Sequence, residues 1–179
     1  MMMEAFETDA ALARSLLAGD AGAPSATWNR YVRLVRQIAG RWLGYGPEIE
    51  DVTQEVFLRL FNRFETLRNP GSLRAFVAGF AIRIARSEHR RRQAASWLAV
   101  TETGAIADDH RFAAGLDSTF ELLQLKKVLA RLPARERSML ILRHLDGMTL
   151  IEIADAHRLS VATVKRVLKR AGGKVRAQA

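Results

Sequence analysis

The side chains that could do chemistry gather in two basic segments. One is "VATVKRVLKRA", Val161 to Ala171. Helical spacing puts Ala162, Thr163, Lys165, Arg166, Lys169 and Arg170 on one side and Val164, Val167 and Leu168 on the other. Small residues allow close approach to a polyanion, and the cations then reach phosphates or base acceptors. After Asp155 the chain has no acid, while Arg158, Lys165, Arg166, Lys169, Arg170, Lys174 and Arg176 follow. The other segment is "FVAGFAIRIARSEHRRRQ", Phe76 to Gln93. Arg83, Arg86, Arg90, Arg91 and Arg92 are too dense there for one salt-bridged face. Cations interleaved with rings suit a single-stranded nucleic acid, holding phosphates while rings stack on unpaired bases. Phe76 and Phe80 lie a turn apart, but Phe80 also shares a stripe with Ile84, which favours the core for it.

Other chemistries are poorly served. The four histidines, His89, His110, His144 and His157, lack metal-ligand spacing such as H-E-x-x-H. "SEH", Ser87 to His89, names the residues of a triad, but neighbours on one helix cannot converge. "GGK", Gly172 to Lys174, lacks the rest of a phosphate loop. The chain has no cysteine, which excludes disulfides and thiolate metal sites. Neither an enzyme nor a cofactor or metal is expected.

Composition agrees with a polyanion partner. The 179 residues carry 28 Lys and Arg against 19 Asp and Glu, a net charge of +9. A hydrophobic fraction of 49 % rules out a disordered chain. "MMMEAFETDA" is acidic and is not a signal peptide. No apolar run approaches the roughly 20 residues of a membrane span, so no membrane insertion and a cytoplasmic location are expected.

Helical periodicity dominates, so the elements positioning these side chains should be all α. The pattern predicts helices over 10–17, 28–43 (capped by Ser25 or Thr27, with a stripe of Trp28, Val32, Val35, Ala39 and Trp42), from Pro47 to about Phe64, and, capped by Ser72, from Leu73 to about Arg92. Periodicity fades over 93–118, which reads as a flexible linker. A second unit starts near Thr119, with Phe120, Leu123, Val128, Leu129 and Leu132 as its first stripe. Helices over 134–145, 150–156 and 161 to about 171 follow. Two small helical domains, 1–92 and 119–179, result.

The last two helices read as a helix-turn-helix. Thr149 and Glu152 form a capping box, Leu159 plugs the turn, and Ser160 caps the second helix. In such motifs the second helix enters the major groove. Arg158 is expected at the left-handed position often taken by glycine, at about 1 kcal/mol. Upstream, "DVTQEVFLRLF" has a wide core stripe, Val52, Val56, Phe57, Leu60, Phe61 and Phe64. Opposite it stand Asp51, Gln54, Glu55 and Asn62 with a leucine, Leu58, among them. An apolar residue ringed by polar ones suits a docking surface.

These segments, "DVTQEVFLRLF", "SLRAFVAGFAIRIARSEHRRR" and "LPARERSMLILRHLDGMTLIEIADAHRLSVATVKRVLKRA", stand in an order and at separations that resemble a bacterial RNA polymerase sigma factor of the extracytoplasmic-function (ECF) type. The resemblance covers roughly 10–92 and 120–175. It implies a promoter-specificity factor that binds polymerase core, at the clamp coiled coil and the flap, and promoter DNA, duplex and single-stranded. Asp51, Gln54, Glu55, Leu58 and Asn62 would face the clamp. Phe76, Arg83, Arg86, Ser87, Arg90 and Arg91 would open and hold the −10 element. Ala162, Thr163, Lys165, Arg166, Lys169 and Arg170 would read the −35 element. An anti-sigma partner that masks these surfaces is also implied. Phe76 stands where the family has Trp, and Ile82 and Arg83 fall in what would be its base-selecting loop. Arg166 and Val167 replace the usual Ser and Arg. Without the polymerase-facing surface, the alternative is a helix-turn-helix regulator that binds its site alone. A sigma-like fold with lost activity is a further alternative.

Overall fold

The computed structural model describes residues 7–44, 46–103 and 127–177, and side chains outside 93–103. No strand occurs among them, so the fold is all α as expected. The chain divides into two units, Met1–Ala105 and Ile106–Ala179.

The first unit holds α1 (Asp9–Leu17), α2 (Ala23–Leu43), α3 (Glu48–Phe61) and α4 (Leu73–Thr103). α2, α3 and α4 pack on one another, and α1 lies across α2 and the short 3₁₀ turn Pro70–Ser72. Their shared core is Leu12, Val35, Val56, Leu60, Leu73 and Val77, all fully buried. Thr8 caps α1, its hydroxyl accepting from the Ala11 N–H at 3.1 Å.

Four expectations are corrected here. α2 begins at Ala23, ahead of Ser25 and Thr27, because Pro24 is preset for a first helical turn. Thr27 is instead buried inside the helix and donates to the Ala23 carbonyl at 2.8 Å. The buried stripe of α2 is turned toward Thr27, Tyr31, Val35, Ile38 and Leu43, leaving Trp28 and Trp42 at its margins. Trp28 packs on Phe57 with centroids 4.5 Å apart, and Trp42 meets His89 at 6.0 Å. Ser72 does not cap α4; Asn69 caps the 3₁₀ turn before it, accepting from the Gly71 N–H at 2.9 Å. α4 also runs on to Thr103, past the expected end at Arg92.

In the second unit, residues 127–130 are helical and precede α5 (Ala134–His144), α6 (Leu150–His157) and α7 (Val161–Arg176). The expected start near Thr119, with Phe120 and Leu123, lies outside the described residues. Met139, Met148, Ile153 and Val164 are fully buried between the helices. α7 is five residues longer than expected, despite Gly172 and Gly173, because its tail is held by packing. Ala171 joins Leu132 and Leu140 in a small core, with Leu168 and Val175 against it.

Candidate functional site

On α3 the five residues expected to dock share one side. Asp51, Gln54, Leu58 and Asn62 are exposed and Glu55 partly so. Leu58 keeps 58 % of its surface while Val56, Phe57 and Leu60 on the opposite side are buried. Glu48, Glu50 and Asp51 occupy the first turn, where the helix dipole favours acids. Glu55 accepts a hydrogen bond from Arg59 one turn on. The result is an acidic, water-facing surface with one apolar centre.

On α4 the rings and cations form a line. Phe76 is half-buried, edge-on to Phe64 (centroids 6.2 Å apart) and to Phe80 (5.0 Å). Phe80 is buried, as its stripe with Ile84 predicts. The Arg83 guanidinium lies over the Phe80 ring, 4.6 Å from its centroid. Arg86, Ser87 and Arg90 are exposed. Two further arginines are engaged by one acid. Glu88 accepts from Arg91 Nε at 2.8 Å and from Arg92 Nε at 3.1 Å. The Arg91 bond, with a smaller contribution from Arg92 and against the effect of burial, holds the Glu88 carboxyl below its usual range. Arg92 also approaches Glu48 of α3 at 3.7 Å. Ile82 and Arg83 lie within continuous helix, as the periodicity from Leu73 predicts, and not in the loop that the resemblance implies; Ile82 is buried.

α6 and α7 form the helix-turn-helix. Thr149 Oγ1 accepts from the Glu152 N–H at 3.2 Å, and Glu152 Oε2 accepts from the Thr149 N–H at 2.7 Å. This completes the capping box. Arg158 takes φ 55°, ψ 53°, the left-handed conformation that costs a side-chain-bearing residue about 1 kcal/mol. The Leu159 N–H then donates to the Ala154 carbonyl at 2.8 Å. Ser160 Oγ accepts from the Thr163 N–H at 3.2 Å and starts α7. Ala162, Lys165, Arg166 and Lys169 are exposed on its outer side. Thr163 is only half-exposed, and its hydroxyl lies 2.8 Å from Ser160 Oγ, so it belongs to the cap as much as to the outer surface.

Arg170 is the larger departure. Its guanidinium donates to Glu136 of α5, as does Lys174 Nζ at 3.1 Å. Glu136 is only 5 % exposed. Burial pushes its carboxyl up, but the bonds from Lys174 and Arg170 outweigh burial and hold it below its usual range. Arg170 therefore fixes α7 to α5 before it can serve any outside partner. Glu136 escaped the sequence reading. The signal was its place in the apolar stripe: Leu132, Glu136 and Leu140 follow at four-residue steps.

Comparison with known proteins finds two family regions along the chain. Residues 27–95 match the family model described as Sigma-70 region 2. Residues 122–172 match that described as Sigma-70, region 4. ECF RNA polymerase sigma factor SigW of Bacillus subtilis (strain 168) is 23 % identical over 174 residues, spanning 89 % of this chain and 90 % of that protein. Among solved structures, CnrH in complex with the cytosolic domain of CnrY aligns over 94 % of this chain and 95 % of its own, with TM-score 0.68 and 22 % identity. RpoE in complex with the anti-sigma factor NepR from Bartonella quintana aligns over 88 % of this chain and 97 % of its own, with TM-score 0.62 and 16 % identity. Both likenesses extend the agreement to the fold. With both conserved regions present in order, the chain belongs to the sigma-70 family and is a sigma factor of the ECF type.

Proposed function

We propose that this sigma factor directs RNA polymerase core to promoters through three separate surfaces. The exposed side of α3, centred on Leu58, docks on core. The Phe76–Phe80–Arg83 line of α4, continued by Arg86, Ser87 and Arg90, receives the opened −10 strand; Arg91 serves it only when released from Glu88. The outer side of α7 reads the −35 duplex through Lys165, Arg166 and Lys169. The observation that carries this reading is the capped helix-turn-helix, whose one exposed side is cationic and small at its N-terminal end. That is the end that reaches base edges.

The work done is binding. Duplex contacts position the complex, and stacking on the α4 rings and guanidinium offsets the few kcal/mol of unpairing a base. No chemistry by the protein itself and no cofactor are required. Among the described residues no helix is long and apolar enough to cross a membrane. We place the protein in the cytoplasm, beside polymerase. An anti-sigma partner is inferred from two solved neighbours, of which one is bound to the anti-sigma factor NepR and the other to the cytosolic domain of CnrY.

Run-off transcription from candidate promoters, with core polymerase and with or without this protein, tests the whole reading. Transcripts that depend on the protein are expected. Their absence, with no core binding, would overturn it. Lys165→Ala and Arg166→Ala should each lower −35-dependent transcription about tenfold, the value of one good base or phosphate contact. Unchanged promoter use would remove these two side chains from the reading surface.

A further inference from the structure

We propose that Arg158, in the turn between α6 and α7, is a phosphate-binding residue that anchors the motif on duplex DNA whatever its sequence. Arg158 is the one non-glycine residue at positive φ among the described residues. Glycine would take this conformation without strain, and a strained residue in a turn points to a use for its side chain. That side chain is exposed, and no hydrogen bond or ion pair among the described residues engages it. Asp155, the last acid of the chain, is exposed one turn earlier and is not paired with it. The position matters most. Arg158 stands two residues before Ser160, the cap of the helix whose N-terminus enters the groove, so it lies where the chain passes the sugar–phosphate edge. A guanidinium there binds a phosphate by two parallel hydrogen bonds and adds affinity without reading bases.

The inference rests on α7 reading duplex DNA, and the experiment separates the two. The full chain is titrated against fluorescein-labelled duplexes of several sequences across a salt series, with Arg158→Gly, Arg158→Lys and Lys165→Ala beside the unaltered protein. Arg158→Gly should melt at a higher temperature, because strain is relieved. It should nevertheless bind every duplex about five- to tenfold more weakly, with a salt slope reduced by about one phosphate contact. Arg158→Lys should keep the slope. A better-folded Arg158→Gly that binds as tightly, with the same slope, overturns the proposal while Lys165→Ala still reports on α7. Weakening confined to one sequence also overturns it, since that is base reading. If the unaltered chain binds no duplex either alone or assembled with polymerase core, both this role and the α7 reading fail.

Discussion

Gln54→Lys, Glu55→Arg and Leu58→Glu together are expected to abolish binding to polymerase core while leaving the first unit folded. The fold should survive because none of the three side chains supports it. Leu58 is 58 % exposed and Gln54 faces water. The Glu55–Arg59 pair lies at the surface, where such a pair contributes only about 0.3–0.5 kcal/mol. Exposed substitutions of this kind stay within about 0.5 kcal/mol each. Binding is different, because a leucine at the centre of a polar ring is the arrangement in which one side chain dominates an interface. A charge buried there on association is unpaired, and the added lysine and the reversed charge at Glu55 repel what the original face attracted. The combined loss should exceed about 100-fold, given about 2 kcal/mol or more for a central residue. Core affinity measured by anisotropy, beside a thermal melt, decides it. Loss of the melt along with binding would mean that the face supports the fold and does not dock.

The second large effect concerns Glu136. Glu136→Ala should destabilise the second unit by about 2 kcal/mol, because two charge-assisted hydrogen bonds disappear. The figure stays at the lower end because the stranded partners have access to water: the Arg170 and Lys174 side chains are 61 % and 43 % exposed. The same acid sets a pH dependence. Its carboxyl is held below the usual range in the folded state, despite burial, by Lys174 and Arg170. The unfolded chain therefore binds the proton more readily. The stabilisation is complete at neutral pH, begins to fade as pH falls toward the unfolded glutamate value of about 4.3, and is lost as pH drops through the lower folded value. Glu136→Gln should remove that acid limb while keeping the shape of the side chain. Hydrogen exchange along α5 and α7 in the full chain, followed from neutral pH to acid, measures both effects. Equal acid sensitivity in Glu136→Gln and the unaltered protein would assign the limb to other carboxylates.

Much of this was legible because short-range rules decide it. The capping box of Thr149 and Glu152, the Ser160 cap and the left-handed Arg158 need only neighbours within a few positions, and the structure has each as expected. The α3 stripe was equally plain, since Val52, Val56, Phe57 and Leu60 repeat at helical steps. What failed was set by distant partners. The bond from Arg170 to Glu136, 34 residues away, had no local signal, although the place of Arg170 on the outer side of α7 did. Trp28 and Trp42 outrank Tyr31 and Ile38 in size, yet packing against α3 and α4 turned the smaller side chains inward. Gly172 and Gly173 lower helix propensity, but Val175 and Lys174 beyond them are tied to α5.

Those ties have a mechanical meaning. α7 is a rod of 16 residues, about 24 Å long at 1.5 Å per residue, supported at both ends. Its front bearing is Val164, fully buried among the helices just behind the Ser160 cap; its rear bearing is Glu136 with Arg170 and Lys174. A rod held this way keeps its pitch when its tip meets a mismatched sequence and cannot swivel to improve a poor fit. On the proposed reading of α7, loosening the rear bearing should therefore compress the ranking of promoters, raising weak sites relative to strong ones, although Glu136 itself is buried.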